Sequence, residues 1–192
     1  MRLPYLLLLA LITAMSFPGV GAEPPPAATE FPVPVVEAAG DFNGVLARTA
    51  QVYIGGQPDA SALTRMRALG VDTIVNLRTA AEMTNRQQVP FDEKAKAESL
   101  GMRYVHIPAG GPKSPYSPSA VDQLAAAIAG TEGKVLLHCA SGRRASHLWV
   151  AYLVRHEGLT LEEAMSHGRA VNFGELPLEG FLGEPISFEL AR

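Results

Sequence analysis

The chain has 192 residues, is 47% hydrophobic and 18% charged, and carries a formal charge of −3. That balance excludes a disordered or polycationic chain and is the composition of one globular domain with a sizeable core. A slightly acidic whole gives no support to nucleic-acid binding, so any basic feature that matters must be local.

The first 22 residues, "MRLPYLLLLALITAMSFPGVGA", carry a positive Arg2, an apolar run from Leu3 to Met15 and small residues at Val20-Gly21-Ala22. This is the pattern of a secretory signal peptide, and the apolar part is short for a bilayer span. Residues 1–22 are expected to be removed, leaving a mature protein, periplasmic or secreted, with no stable membrane span; an uncleaved membrane anchor is the alternative. Cysteines in such compartments come in pairs, yet this chain has only Cys139. An unpaired thiol there points to a reactive group or an intermolecular bond, with a buried, inert cysteine as the bland alternative.

From Glu23 to Pro34 the sequence is "EPPPAATEFPVP". Prolines this dense fix φ and remove donors, so an extended tether is expected over residues 23–50 and a single folded domain over 51–192. "QVYIGGQP" reads as a short apolar strand. "DASALTRMRALG" reads as a helix capped by Asp59 or Ser61, with Leu63, Met66 and Leu69 on one face and Gly70 stopping it. "VDTIVNLR" reads as a buried strand, "FDEKAKAESLG" as a polar helix and "MRYVHIP" as the next strand. Ser117-Pro118 opens a helix continued by "SAVDQLAAAIAG", and "KVLLH" is a further strand. The segment from Ala145 to Glu157 is apolar nearly all round, with Leu148, Trp149, Val150, Tyr152 and Leu153, which indicates burial in the core. Thr160 to Glu163 spells a capping box for one more helix. Strands separated by helices predict an α/β fold: a mainly parallel central sheet with helices on both faces, its functional edge at the strands' carboxyl ends.

Cys139 falls on that edge, in the loop "CASGRR" between a strand and a helix. A loop entering a helix N-terminus presents several backbone N–H groups, and the helix dipole adds positive potential. Such a site holds a tetrahedral oxyanion and stabilises a thiolate at its base. Gly142 allows the tight turn, and Arg144 supplies a planar fork for two oxygens of a phosphate.

The stretch "HCASGRRAS" resembles the active-site loop of the cysteine-dependent phosphatase superfamily of tyrosine and dual-specificity phosphatases. Within it, the chain is most similar to the branch called the beta-lactamase hydrolase-like, phosphatase-like domain. "YIGGQPDASALTRMRALGVDTIVNLRTAAE" and "GMRYVHIPAGGP" extend the likeness over about Val52 to Ala170. The resemblance implies a phosphatase-like three-layer sandwich and hydrolysis of a phosphorylated protein or small molecule through a phosphocysteine, with no cofactor or metal. It implies Cys139 as nucleophile, Arg144 as phosphate ligand, and Ala140, Ser141, Gly142 and Arg143 as the phosphate-binding loop. His138 is implied as a support for the loop and its thiolate.

The general superfamily pattern is C-x5-R followed by Ser or Thr; here Arg144 gives C-x4-R, a form the named branch shares, and the hydroxyl residue is Ser146, set back by one. Related phosphatases resemble one another in placing an aspartate on a separate loop, whereas "IPAGGPKSPYS" has no carboxylate. Asp92, Glu93 and Asp122 are the acids nearest in sequence. Arg78, at the end of "TIVNLR", either helps bind the anion or pairs with Glu82 one helical turn onward. Lys113 and Tyr116 either border the pocket or belong to a solvated loop. Two other functions fit parts of the pattern. "CASGRR" also resembles a rhodanese sulfurtransferase loop, although Asn76 stands where that family has aspartate. A phosphate-binding module without turnover is the non-enzymatic alternative.

Overall fold

A computed structural model of the chain describes residues 31–174 and 178–186; the leader expected over residues 1–22, and the tether as far as residue 30, lie outside them. The described part of the tether departs from expectation. Val35–Val36 (β1) and Phe42–Thr49 (β2) are strands, so the domain begins well before residue 51. The proline density that signals an extended tether stops at Pro34. Beyond it β2 buries Phe42, Leu46 and Ala47 and pairs antiparallel with Val52–Pro58 (β3).

Asp59 caps Ala60–Ala68 (α1), its carboxylate accepting the Ser61 and Ala62 N–H groups at 2.8 Å each. Leu63 and Met66 are fully buried, but Leu69, expected on the same face, lies past the last turn and is 40% exposed. Val71–Asn76 (β4) follows, then Ala80–Thr84 (α2), Glu93–Ser99 (α3) and Arg103–His106 (β5). Pro118–Ala129 (α4) starts at Ser117, whose side chain makes no capping bond. Lys134–His138 (β6), Arg143–His156 (α5), Leu161–Arg169 (α6) and Leu178–Leu182 (α7) complete the described elements. The five-residue helices α2 and α7 are too short to show a hydrophobic period and were not anticipated.

The strands are ordered β1-β2-β3-β6-β4-β5, with β3, β6, β4 and β5 parallel and β1 and β2 forming an antiparallel edge. Successive strand residues face opposite layers. Val52, Ile54, Val75, Val135 and Leu137 pack with α4, α5, α6 and α7. Tyr53, Ile74 and Leu136 pack with α1 and α3. This is the expected α/β sandwich, a mainly parallel sheet covered on both faces. Burial of one Leu or Val from these strands stabilises by about 1.5–3 kcal/mol, so a centrally placed β6 is firmly fixed. On the helical layer, Trp149 stacks on Tyr152 and meets the Phe31 ring edge-on with centroids 5.6 Å apart. No helix among the described residues is long and apolar enough to cross a membrane.

Candidate active site

Because β6 lies between β3 and β4, its carboxyl end opens between Gly55 on one side and Asn76 on the other. Cys139 follows directly. Its N–H donates to Gly55 O at 3.2 Å, Gln57 N–H donates to Ala140 O at 3.2 Å, and Leu77 N–H donates to His138 O at 2.9 Å. The side chain of Asn172 donates to Ser141 O at 2.9 Å. The carbonyls of the loop are thus tied down from several directions. Most of its N–H groups are not: those of Ala140, Ser141, Arg143, Arg144 and Ala145 meet no acceptor among the described residues, while Gly142 faces Gly55 in the bridge between Gly56 and Ser141. Gly142 makes the turn into α5 at φ +90°, where a Cβ would come within 2.5 Å of Val45 Cγ1. Unpaired donors at a helix start carry positive potential and favour an anion.

Cys139, Ala140, Ser141, Arg143 and Arg144 line one cavity of about 260 Å³, together with Glu82, Gly110 and Tyr116. Cys139 is only 1% exposed, so its sulfur belongs to the cavity floor and not to the outer surface. Arg143 is exposed at the rim. Arg144 is held end-on by Glu82, with Nη2 to Oε1 at 2.6 Å and Nη1 to Oε2 at 2.9 Å. Its Nη1 also donates to Ala109 O at 2.8 Å and Leu77 O at 3.3 Å. Burial works against the guanidinium's charge, but Glu82 and the neighbouring Cys139 outweigh it and raise its affinity for the proton. Burial likewise pushes the Glu82 carboxyl up. Arg144 and the Thr79 N–H and hydroxyl win, and they hold it at about 2.

Two residues expected to support the site are elsewhere. The Ser146 hydroxyl lies 2.8 Å from Arg143 O and 3.1 Å from Asn172 O and does not line the cavity. Arg78 is 2% exposed and does not line the cavity. Of its two anticipated roles it takes the pairing one, with Nε 3.5 Å from Glu82 Oε1, Nη1 donating to Gln57 and Nη2 to Gln88. The three candidate acids also lie away from the cavity. Asp92 caps α3 and Asp122 faces His156 at 3.0 Å. Of the two loop residues left open, Tyr116 lines the cavity and Lys113 does not.

Glu93 is the surprise. It is 1% exposed and lies beneath the loop, with Oε1 3.0 Å from His138 Nε2 and accepting from Asn76 at 2.9 Å and Tyr104 at 2.9 Å, while Gln57 donates to Oε2. Gln57 in turn accepts from Arg78, which neighbours Glu82 and so Arg144. A continuous buried polar network therefore joins the residue before Cys139 to the arginine after it. Sequence reasoning missed both glutamates' roles. "TAAE" does spell the same capping box as Thr160–Glu163, and Thr79 and Glu82 form it in the structure. Glu93 gives no such signal, sitting in a run of charged residues that reads as a solvated helix.

Burial pushes the Glu93 carboxyl up, but His138, Gln57 and Tyr104 more than offset this and hold it below its ordinary 4.5. A carboxyl depressed on folding contributes stability above its unfolded pKa and loses it as the pH falls through the folded one. Glu93→Gln is therefore expected to cost about 3–5 kcal/mol at neutral pH, as for a broken buried pair. It should also flatten the loss of stability below the unfolded value of 4.5. Urea midpoints across that range, read from Trp149 fluorescence, measure both, and an acid limb parallel to wild type would refute the assignment.

The family described as "Beta-lactamase hydrolase-like protein, phosphatase-like domain" matches residues 45–153, from within β2 to within α5. The Beta-lactamase hydrolase-like protein of Xylella fastidiosa is 32% identical over 123 residues, which are 64% of this chain and 28% of that protein. This chain thus spans under a third of that relative's length. Human Dual specificity protein phosphatase 26 is 29% identical over 143 residues, 72% of this chain and 64% of that protein. Among solved structures, P. aeruginosa TpbA superposes with a TM-score of 0.53 at 22% identity, covering 70% of this chain and 76% of that one. That likeness is one of fold.

Proposed function

The chain belongs to the family of beta-lactamase hydrolase-like protein, phosphatase-like domains, and from that membership we propose that it is a cysteine-dependent phosphatase acting on phosphate monoesters. The observation that carries the reading is the convergence on one cavity of Cys139, the Arg144 guanidinium and a loop most of whose N–H groups meet no acceptor among the described residues. The Cys139 thiolate attacks phosphorus, forming S–P as the ester P–O bond breaks. Loop amides and Arg144 hold the phosphoryl oxygens as charge shifts among them. Water then cleaves S–P and releases phosphate. The short C-x4-R spacing is compatible with this, because Glu82 fixes the guanidinium from the far side. The rhodanese reading is disfavoured by the family match and by Asn76, which hydrogen-bonds Glu93 and Tyr104 at the point where that family has an acid.

The test is hydrolysis of aryl phosphates under reducing conditions, with acid quenching during turnover. Phosphate covalently bound to Cys139 is the expected product of the quench. Tight phosphate or vanadate binding without turnover would instead indicate a binding module. The domain is further proposed to act outside the cytoplasm, on the leader pattern of residues 1–22. Cell fractionation with N-terminal sequencing checks this, with a mature terminus near Glu23 expected and a full-length cytoplasmic chain refuting it.

A further inference from the structure

This inference rests on the phosphatase reading and concerns the proton that the departing oxygen needs. Among the described residues Glu82 is the one carboxylate lining the cavity, and it stays ionised down to about 2 in its pair with Arg144. Beside the thiol and the two arginines, whose guanidinium protons are not given up, two hydroxyl side chains are among the lining residues, Ser141 and Tyr116. An aliphatic hydroxyl is much the weaker acid of the two. The Tyr116 hydroxyl sits over Gly110, where an added Cβ would lie 2.7 Å from Oη and 3.2 Å from Arg144 Cδ. The phenol and the arginine stem therefore share the same small space. Gly110, at φ +99°, leaves that space open. The ring is fixed from behind by Phe181, edge-on with centroids 4.9 Å apart, and its stem runs past Gly180, where an added Cβ would come within 2.8 Å of the Tyr116 Cβ.

We propose that Tyr116 is the proton donor to the leaving oxygen, standing in for the carboxylic acid that the described lining lacks. In the first step S–P forms, the aryl P–O bond breaks, and the Tyr116 proton passes to the aryl oxygen, leaving a phenolate beside Arg144. In the second step that phenolate takes a proton from the water that attacks phosphorus, which regenerates the phenol and the Cys139 thiolate and releases hydrogen phosphate. Proton and charge balance over the cycle.

The groups acting on the phenol fit this role. Burial raises its pKa, as do the Cys139 and Glu82 charges, so it is protonated throughout the neutral range; Arg144 acts in the opposite sense and stabilises the phenolate. A phenol is matched in acidity to a phenolic leaving group, so transfer between them is nearly balanced. An alkyl alcohol leaving from serine or a sugar gains less from the same donor.

Tyr116→Phe tests the proposal across substituted phenyl phosphates, from nitrophenyl to unsubstituted phenyl. Removal of the hydroxyl is expected to lower kcat/KM for phenyl phosphate by about 10²-fold. The loss should shrink steadily as the leaving group improves, which steepens the leaving-group dependence. The unfolding midpoint read from Trp149 should stay near wild type, since the hydroxyl makes no hydrogen bond with another described residue. An equal fractional loss across the series, or none, would overturn the assignment while leaving the phosphatase reading intact. Failure of the wild type to turn over any member would overturn both.

Discussion

Cys139→Ser is expected to lower kcat for aryl phosphates by about 10⁴-fold or more and to leave anion binding in place. The asymmetry follows from what surrounds the sulfur. A thiolate is a strong nucleophile without further help, whereas a serine hydroxyl needs a base to take its proton. The basic groups at hand are engaged: the His138 ring faces Glu93 at 3.0 Å, and Glu82 is bound by Arg144. The main-chain amides that cradle the anion are untouched by the exchange, and so is Gly142 at the turn. Inhibition by vanadate, which wild type should show, would persist as binding in the serine variant, measured by calorimetry. Retained turnover in that variant would remove the sulfur from the mechanism, and with it the phosphocysteine.

The fold was legible in the sequence wherever periodicity and punctuation agreed. "KVLLH" holds a continuous apolar run buried on both faces, as a central parallel strand does, Asp59 caps α1, and the nearly uniform apolarity of α5 matches a helix enclosed by the sheet, α4, α6 and α7. Strand β2 was hidden because "FNGVLART" carries glycine and asparagine at a bulge, with the register shifting between Asn43 and Leu46. The loop was legible because thiol, glycine, arginine and helix start lie within six residues of sequence. What was not legible is what reaches it through space. Glu82 and Glu93 come from helices α2 and α3, distant in sequence from Cys139, and their placement, half-buried against Arg78 and Arg144 and fully buried against His138 and Gln57, is a property of the sheet order. Their position in polar stretches is uninformative, since buried charges are retained only through partners that one-dimensional spacing does not show.

Arg144→Lys is expected to lower kcat/KM by about 10²–10³-fold, the effect of losing an aligned donor at developing charge, although net charge is conserved. The reason lies in how the guanidinium is divided. Of its five N–H donors, Glu82 takes one from each Nη and the Ala109 and Leu77 carbonyls share the second on Nη1. The Nε–H and the remaining Nη2–H meet no acceptor among the described residues and form an edge, a flat pair of donors suited to two phosphoryl oxygens. One group thus serves Glu82 end-on and substrate side-on. A lysine ammonium is a point charge with no such edge: turned to Glu82 it leaves the phosphate, and turned to the phosphate it leaves a half-buried carboxylate uncompensated. Weaker inhibition by phosphate should accompany the rate loss, since the same edge holds product and transition state. Near-wild-type kinetics in the lysine variant would show that charge alone suffices there, and that the end-on clasp by Glu82 has no bearing on how the anion is held.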